Sequence, residues 1–327
     1  MFVGGTRLQR RAGSAAVILI AGALSSACVS SGREEAGRIA DTGLAATSAL
    51  SADLVGASAR LARADALSAW ERTWLLCQNP NPALCRPAGP GEAVRSERGR
   101  LVEAIRLRAR AVEALNRAYN ALKLEADYDA AADLEGAVGA AVTSVQSYAT
   151  ALGATGPLET AGDLVVAGAG VFADMRQRER LKEANRRLAD AAARMRLAMQ
   201  AEQAVFDSVA TDIVDQEVAA HDALLEAGFV SREELVTPLI EGIGARPAGD
   251  LEARFDDSPG ALAGARAVLE VSAATRAAGM RARYAASIEA LQALEHLHRE
   301  FVAAETASPA QARILIDRLD ALREAAF

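Results

Sequence analysis

Between Leu181 and Ala198 apolar residues recur at alternating steps of three and four: Leu181, Ala184, Leu188, Ala191, Met195 and Ala198. That spacing keeps them on one side of an α-helix, at the a and d positions of a coiled coil or long bundle. Phe206, Val209 and Ile213 continue the stripe, and neither glycine nor proline interrupts Val171 to Ala227. At 1.5 Å per residue such a helix is on the order of 85 Å long, too long for a compact globule. The pattern therefore predicts an elongated molecule.

Other stretches supply partners for this helix. Ala36 to Leu76 carries Leu50, Leu54, Ala57 and Leu61 on one face, and Val102, Ile105, Ala109, Val112, Tyr119 and Leu122 mark a second helix after a loop from Arg86 to Gly91. A fourth begins where Ser258 caps and Pro259 takes the first helical position, with Tyr284, Ile288, Leu291, His298 and Phe301 along one side. Two short helices are predicted as well. Ser231 and Glu234 form a capping box for one that stops near Gly242 to Pro247, and Ser308-Pro309 starts another with Ile316, Leu319 and Leu322 inward. No stretch alternates apolar and polar residues long enough for a sheet. The fold class predicted is all-α, an elongated antiparallel helical bundle with long coiled-coil-like helices. Nothing resembling a flexible linker divides residues 36–327, so they read as one domain with an extended core.

The first 28 residues depart from this pattern. Arg7, Arg10 and Arg11 form a positive region, Ala12 to Leu24 an apolar one too short to span as a mature helix, and Ser25-Ser26-Ala27 a small-residue cleavage site before Cys28. The segment resembles the lipobox of bacterial lipoproteins, with Ser25 where that family prefers Leu and Leu24 one place earlier. The resemblance implies removal of residues 1–27, acylation of Cys28 and, with Val29 and Ser30 following in place of Asp, the outer membrane. Val29 to Glu35 then reads as a short polar tether.

Charge agrees with a lipid-mediated contact. The chain carries a formal net charge of -7, and removing the signal takes away three arginines and no acidic residue. Such a protein has no reason to bind nucleic acid and is repelled by anionic lipid heads. Beyond Cys28 there are only Cys77 and Cys85, flanking a segment with two prolines and two asparagines. That turn brings the sulfurs together, so a disulfide is expected, stabilising by roughly 2 to 3 kcal/mol. It also fits an oxidising compartment, the periplasm.

One stretch lacks the amphipathic pattern. Gly136 to Leu158 has no charged residue, and Leu164 to Ala173 is a second uncharged run. Together they read as an apolar hairpin, 136–173, turning around Gly153 to Gly162. Its layout is similar to that of helical pore-forming toxins of the cytolysin A type, in layout only and with no shared motif. That resemblance implies an inserting tip. Weak hydrophobicity and small residues instead favour a buried bundle end, and an oligomer interface remains open.

Candidate chemistry is sparse. Glu295 and His298 have the Glu-x-x-His step of half a di-iron site, and Glu217 and His221 share a face, but a second copy with the right step is lacking. His296 completes the histidines. Trp70 and Trp74 lie one turn apart and offer either a sugar-stacking pair or packing beneath the disulfide loop. Glu125, Asp127, Asp129, Asp133 and Glu135 lack the glycine and ligand periodicity of a calcium loop and read as a solvated corner. No phosphate loop, nucleophile elbow or H-E-x-x-H is present. The expectation is a non-catalytic protein with no cofactor or metal, anchored by lipid and facing the periplasm. Its long helical faces would meet another envelope protein or a second copy, and the alternative is the inserting toxin type.

Overall fold

The computed structural model describes residues 12–78, 92–128, 130–154, 176–231 and 259–304, with single positions such as Cys85, Gly244 and Ile314; side chains are described from residue 32 in the first stretch and 99 in the second. Among the described residues the chain is all-α. Its helices are α1 (Ala12–Cys77), α2 (Glu92–Tyr128), α3 (Ala131–Ala151), α4 (Gln177–Glu226) and α5 (Pro259–Ala304). Alanine, leucine, arginine and glutamate are strong helix formers, and Pro259 opens α5 where its missing N–H costs no bond. The short helices expected around Ser231 to Pro247 and from Ser308 onward lie largely outside the described residues, as do Ser258 and the run Leu164 to Ala173.

The chain forms two compact units, and α1, α2, α4 and α5 each contribute a stretch to both. The first unit comprises residues up to Leu50, Arg110–Leu197 and Ala290–Ala321. In it α1 and α2 run antiparallel, because rising positions on one meet falling positions on the other. Arg33 donates to the carbonyls of Ala126 and Asp127, Lys123 pairs with Asp41, and Asn116 donates to Thr47. α4 and α5 are antiparallel by the same test, with Asn185 against His298 and Arg196 against Glu295. The stripe on α4 is buried throughout, from Leu181 to Ala198, and Ile39, Leu115, Leu122 and Leu134 complete the surrounding core. Val29 to Glu35, expected as a tether, is part of α1, and Arg33 ties it to the end of α2.

α3 belongs to this unit. It buries Leu134, Val138, Ala141, Val142, Val145, Tyr148 and Ala149 and turns Thr143, Gln146, Ser147 and Thr150 outward. The stretch from Gly136 is therefore amphipathic in a weak form, with small polar residues serving as the wet face. Gly153 ends it at φ 70°. The Ala154 N–H returns to the Ala149 carbonyl and that of Gly153 to Thr150, the paired closure that glycine in the left-handed region makes possible.

The second unit comprises Ser51–Ala109, Ala198–Glu289 and the C-terminal residues from Leu322. Here α4 and α5 carry a ladder of pairs: Thr211 with Arg281, Glu217 with Arg276, and Asp222 and Glu226 with Arg266. Each partly exposed pair contributes about 0 to 1 kcal/mol, so the ladder matters more for register than for stability. Phe206, Val209, Ile213, Tyr284 and Ile288 form the apolar seam beneath it, and Leu54 and Leu61 of α1 are buried in the same unit. The stripe expected for α2 is buried at Ile105, Val112, Tyr119 and Leu122 and is corrected at two positions. Val102 and Ala109 are exposed, and the buried side runs through Leu101, Ala104, Ile105 and Arg108.

The seat of the Tyr119 ring against α1 in the first unit depends on Gly43. A Cβ there would overlap the Tyr119 ring, which is fully buried. Gly43→Ala is expected to destabilise by about 1 to 3 kcal/mol, the usual cost of overpacking. Gly139→Ala, into open space on α3, should stabilise by about 0.5 to 1 kcal/mol. Urea unfolding of both variants beside the parent measures the difference.

Candidate functional site

The residues singled out from the sequence fall in different places. The described side chains do not include Cys28, which lies within the residues of α1. Cys77 and Cys85 are joined, with S–S 2.03 Å and Cα–Cα 4.2 Å, and both are exposed. α1 ends at Cys77, so the bridge pins the loop that leaves it.

Close to that bridge along α1, Trp70 and Trp74 stack on each other at 5.9 Å between ring centroids and 9° between planes. One turn of helix separates them, which brings the two rings alongside. Phe229 meets both edge-on, at 6.2 and 5.8 Å. It arrives there because α4 closes as α3 does: Gly228 has φ 73°, its N–H returns to Leu225, and the Phe229 N–H returns to Leu224. The two tryptophans thus pack against each other and against Phe229, the packing alternative read from the sequence. Phe229 keeps much of its surface in solvent.

The histidines separate as well. His296 is exposed and pairs with Glu300, and the Nδ1 of His221 meets the Glu217 backbone carbonyl while the Glu217 carboxylate pairs with Arg276. Glu295 and His298 do not converge. Glu295 pairs with Arg196 and Arg299. His298 is fully buried between Tyr119 and Asn185, its Nε2 2.9 Å from the Tyr119 hydroxyl and its Nδ1 2.8 Å from Asn185 Oδ1. Among the described residues no group of three His, Cys, Asp or Glu side chains is placed to hold a metal ion.

The neighbours settle the proton positions on His298. Asn185 Nδ2 donates to the Leu181 carbonyl at 2.7 Å, so Oδ1 is the atom that faces the ring and Nδ1 must be the donor. Nε2 is then the acceptor for the Tyr119 hydroxyl. All donors point one way, from Tyr119 through His298 and Asn185 to the α4 backbone. Burial pushes His298 down to about 3 and pushes Tyr119 upward, so both stay neutral. The ring has neither solvent nor a free nitrogen, and its role is to join α2, α4 and α5.

Sequence reasoning missed a second buried polar group, in the other unit. Arg108 of α2 and Glu202 of α4 pair at 3.4 Å, each side chain 2% exposed. The guanidinium lies over the Tyr284 ring at 5.1 Å, Phe206 stacks on the same ring, and the Tyr284 hydroxyl lies 2.9 Å from the Met199 carbonyl and 3.2 Å from Glu202. Burial raises Tyr284, with Glu202 adding to it. Asp53 of α1 joins from the side, 4.0 Å from Arg283, and burial lifts its carboxyl against the pull of Arg108, Arg283 and Arg60. The signal for Arg108 was present, since steps of three and four from Leu101 through Ala104 land on it.

The acidic run is corrected too. Glu125 is fully buried, pairs with Arg180 at 2.8 Å and offers its carbonyl to Gln177. It is a seam position of α2, whereas Asp127 and Asp133 are exposed as expected. Asp129 lies outside the described residues.

Compared with protein-family models, curated proteins and solved structures, the chain matches none. Its reading rests on its own residues.

Protonating His298 is far easier in the unfolded chain, where its value is about 6.5, than in the folded one. The unfolded state therefore binds the extra proton below pH 6.5, and stability falls as pH drops towards 3. Going from pH 7 to pH 5 should cost about 2 kcal/mol through this residue alone. His298→Gln, less stable at pH 7, should show a pH dependence shallower by that amount in urea unfolding at the two pH values.

Proposed function

We propose that the chain is an envelope lipoprotein in which acylated Cys28 anchors a non-catalytic helical body. The body faces the periplasm from the outer membrane and serves as a scaffold or interaction module for another envelope protein or a second copy. The observation that carries this reading is the segment from Arg7 to Cys28, with its basic, apolar and small-residue parts in the order a lipoprotein signal requires. A single acyl chain gives only marginal binding, so attachment requires the several chains such a cysteine carries.

The side-chain geometry supports a mechanical role. Among the described residues, buried His298, Glu295, Arg108, Glu202, Glu125 and Arg180 each bond a side chain on another helix. The Cys77–Cys85 bridge agrees with an oxidising compartment. Against the membrane-inserting alternative stands α3, whose Leu134, Val138, Val142, Val145 and Tyr148 are already buried within its own unit. Exposing them would mean dismantling that core. No described helix is long and apolar enough to cross a membrane.

Cys28→Ala removes the acylated thiol and leaves the body intact. The parent chain should take up a labelled fatty acid in growing cells and the variant should not; label kept by the variant, or absent from the parent, would refute the anchor.

A further inference from the structure

The end of α2 bears an unusual surface for an acidic protein. Tyr128, its last residue, is 78% exposed, and Leu124, one turn earlier on the same side, is 45% exposed. Residues four apart on a helix are neighbours, so the two form one small amphipathic step with an apolar base and a phenolic tip. Other exposed large apolar residues, such as Val55 and Val271, lie on helices within the second unit. Leu124 and Tyr128 differ from them in lying beside the start of the folded body.

Arg33 fixes that relation. Its Nε donates to the Ala126 carbonyl at 2.9 Å and its Nη2 to the Asp127 carbonyl at 3.0 Å, filling two of the acceptors that the last turn of a helix leaves open. Five steps along the chain lead from Cys28 to Arg33. They span about 18 Å if fully extended and about 7.5 Å as the helix that α1 forms there. The interfacial layer on each side of a bilayer is roughly 5 to 7 Å thick, so in the helical case the last turn of α2 comes to the headgroups by covalent geometry alone.

From this reach we propose that Leu124 and Tyr128 rest in the headgroup layer of a zwitterionic phospholipid membrane, making the α2 end the membrane-facing corner of the first unit. The proposal rests on the acylation of Cys28. Tyrosine suits the position because its ring enters the apolar boundary while its hydroxyl stays wet. The charges around the corner are of both signs: exposed Asp127 and Asp133 stand with exposed Arg176, Arg178 and Glu179 at the start of α4, which Gln177 ties to the Glu125 carbonyl. Lys123 is paired with Asp41, so there is no one-sided positive charge for anionic heads.

The test uses the full acylated chain in vesicles of phosphatidylcholine and phosphatidylethanolamine. With the Cys28 thiol acylated and Cys77 bonded to Cys85, an introduced cysteine is the single free thiol, so Tyr128→Cys and Thr150→Cys can each carry an environment-sensitive nitrobenzoxadiazole dye. Thr150 is exposed on α3, about 28 Å of helix beyond Ala131. The dye at 128 should emit at shorter wavelength than at 150, and a headgroup spin-labelled lipid should quench it at least twofold more strongly. Water-like emission at 128, or a blue shift without lipid quenching as a contact between copies would give, overturns the proposal while flotation with vesicles shows the anchor intact. Protein that does not float because Cys28 carries no lipid overturns the anchor and the corner together.

Discussion

The constraint on which the fold depends is that polar groups buried between alanine-rich helices must find partners on other helices. An apolar seam of alanine and leucine tolerates sliding, since one register buries nearly as much surface as the next. Tyr119, His298 and Asn185 do not tolerate it: each hydrogen bond exists in one alignment of α2, α4 and α5 only. A slip of one turn would leave a phenol, an imidazole and an amide buried without partners, at about 1 to 3 kcal/mol each. Arg108, Glu202 and Tyr284 impose the same condition in the second unit with charge added. Breaking such a pair by removing one partner typically costs about 3 to 5 kcal/mol, far more than the exposed pairs between α4 and α5 contribute. Gly43 belongs to the same device, because the ring that hydrogen-bonds His298 lies against the backbone of α1.

Much of this architecture was legible in the chain. The stripe from Leu181 to Ile213 is buried at every position named, as are Tyr284, Ile288, Leu291, His298 and Phe301 on α5. Regular spacing carries that information without any knowledge of partners. On α2 the stripe was read correctly at Ile105, Val112, Tyr119 and Leu122 but went astray at its start, where a charge sits on the seam. Arg108 reads as a surface residue and Val102 as a core residue, yet the structure reverses them. Glu125 misled for the same reason, being a seam carboxylate inside an otherwise solvated acidic run. Such residues become legible only with their partners, and Glu202 and Arg180 lie 94 and 55 positions away. His298 stood in its stripe, but its relay needs Tyr119 and Asn185, at 179 and 113 positions. The disulfide was the opposite case, local enough for spacing and turn residues to suffice.

The buried polar groups described above hold helices together, and the role we propose lies with the lipid at Cys28 and the outer faces. Arg33 closes the end of α2 within five residues of Cys28, so α1 belongs to the folded body from Arg33 onward. A lipid at Cys28 would then set the orientation of the first unit as well as its location.

The central claim is the lipid on Cys28, and mass spectrometry of the N-terminal peptide from the protein extracted from bacterial membranes tests it most directly. The account predicts a chain beginning at Cys28, with a diacylglyceryl group on sulfur and an acyl chain on the amine. A peptide that begins elsewhere, or a Cys28 of unmodified mass, would contradict it.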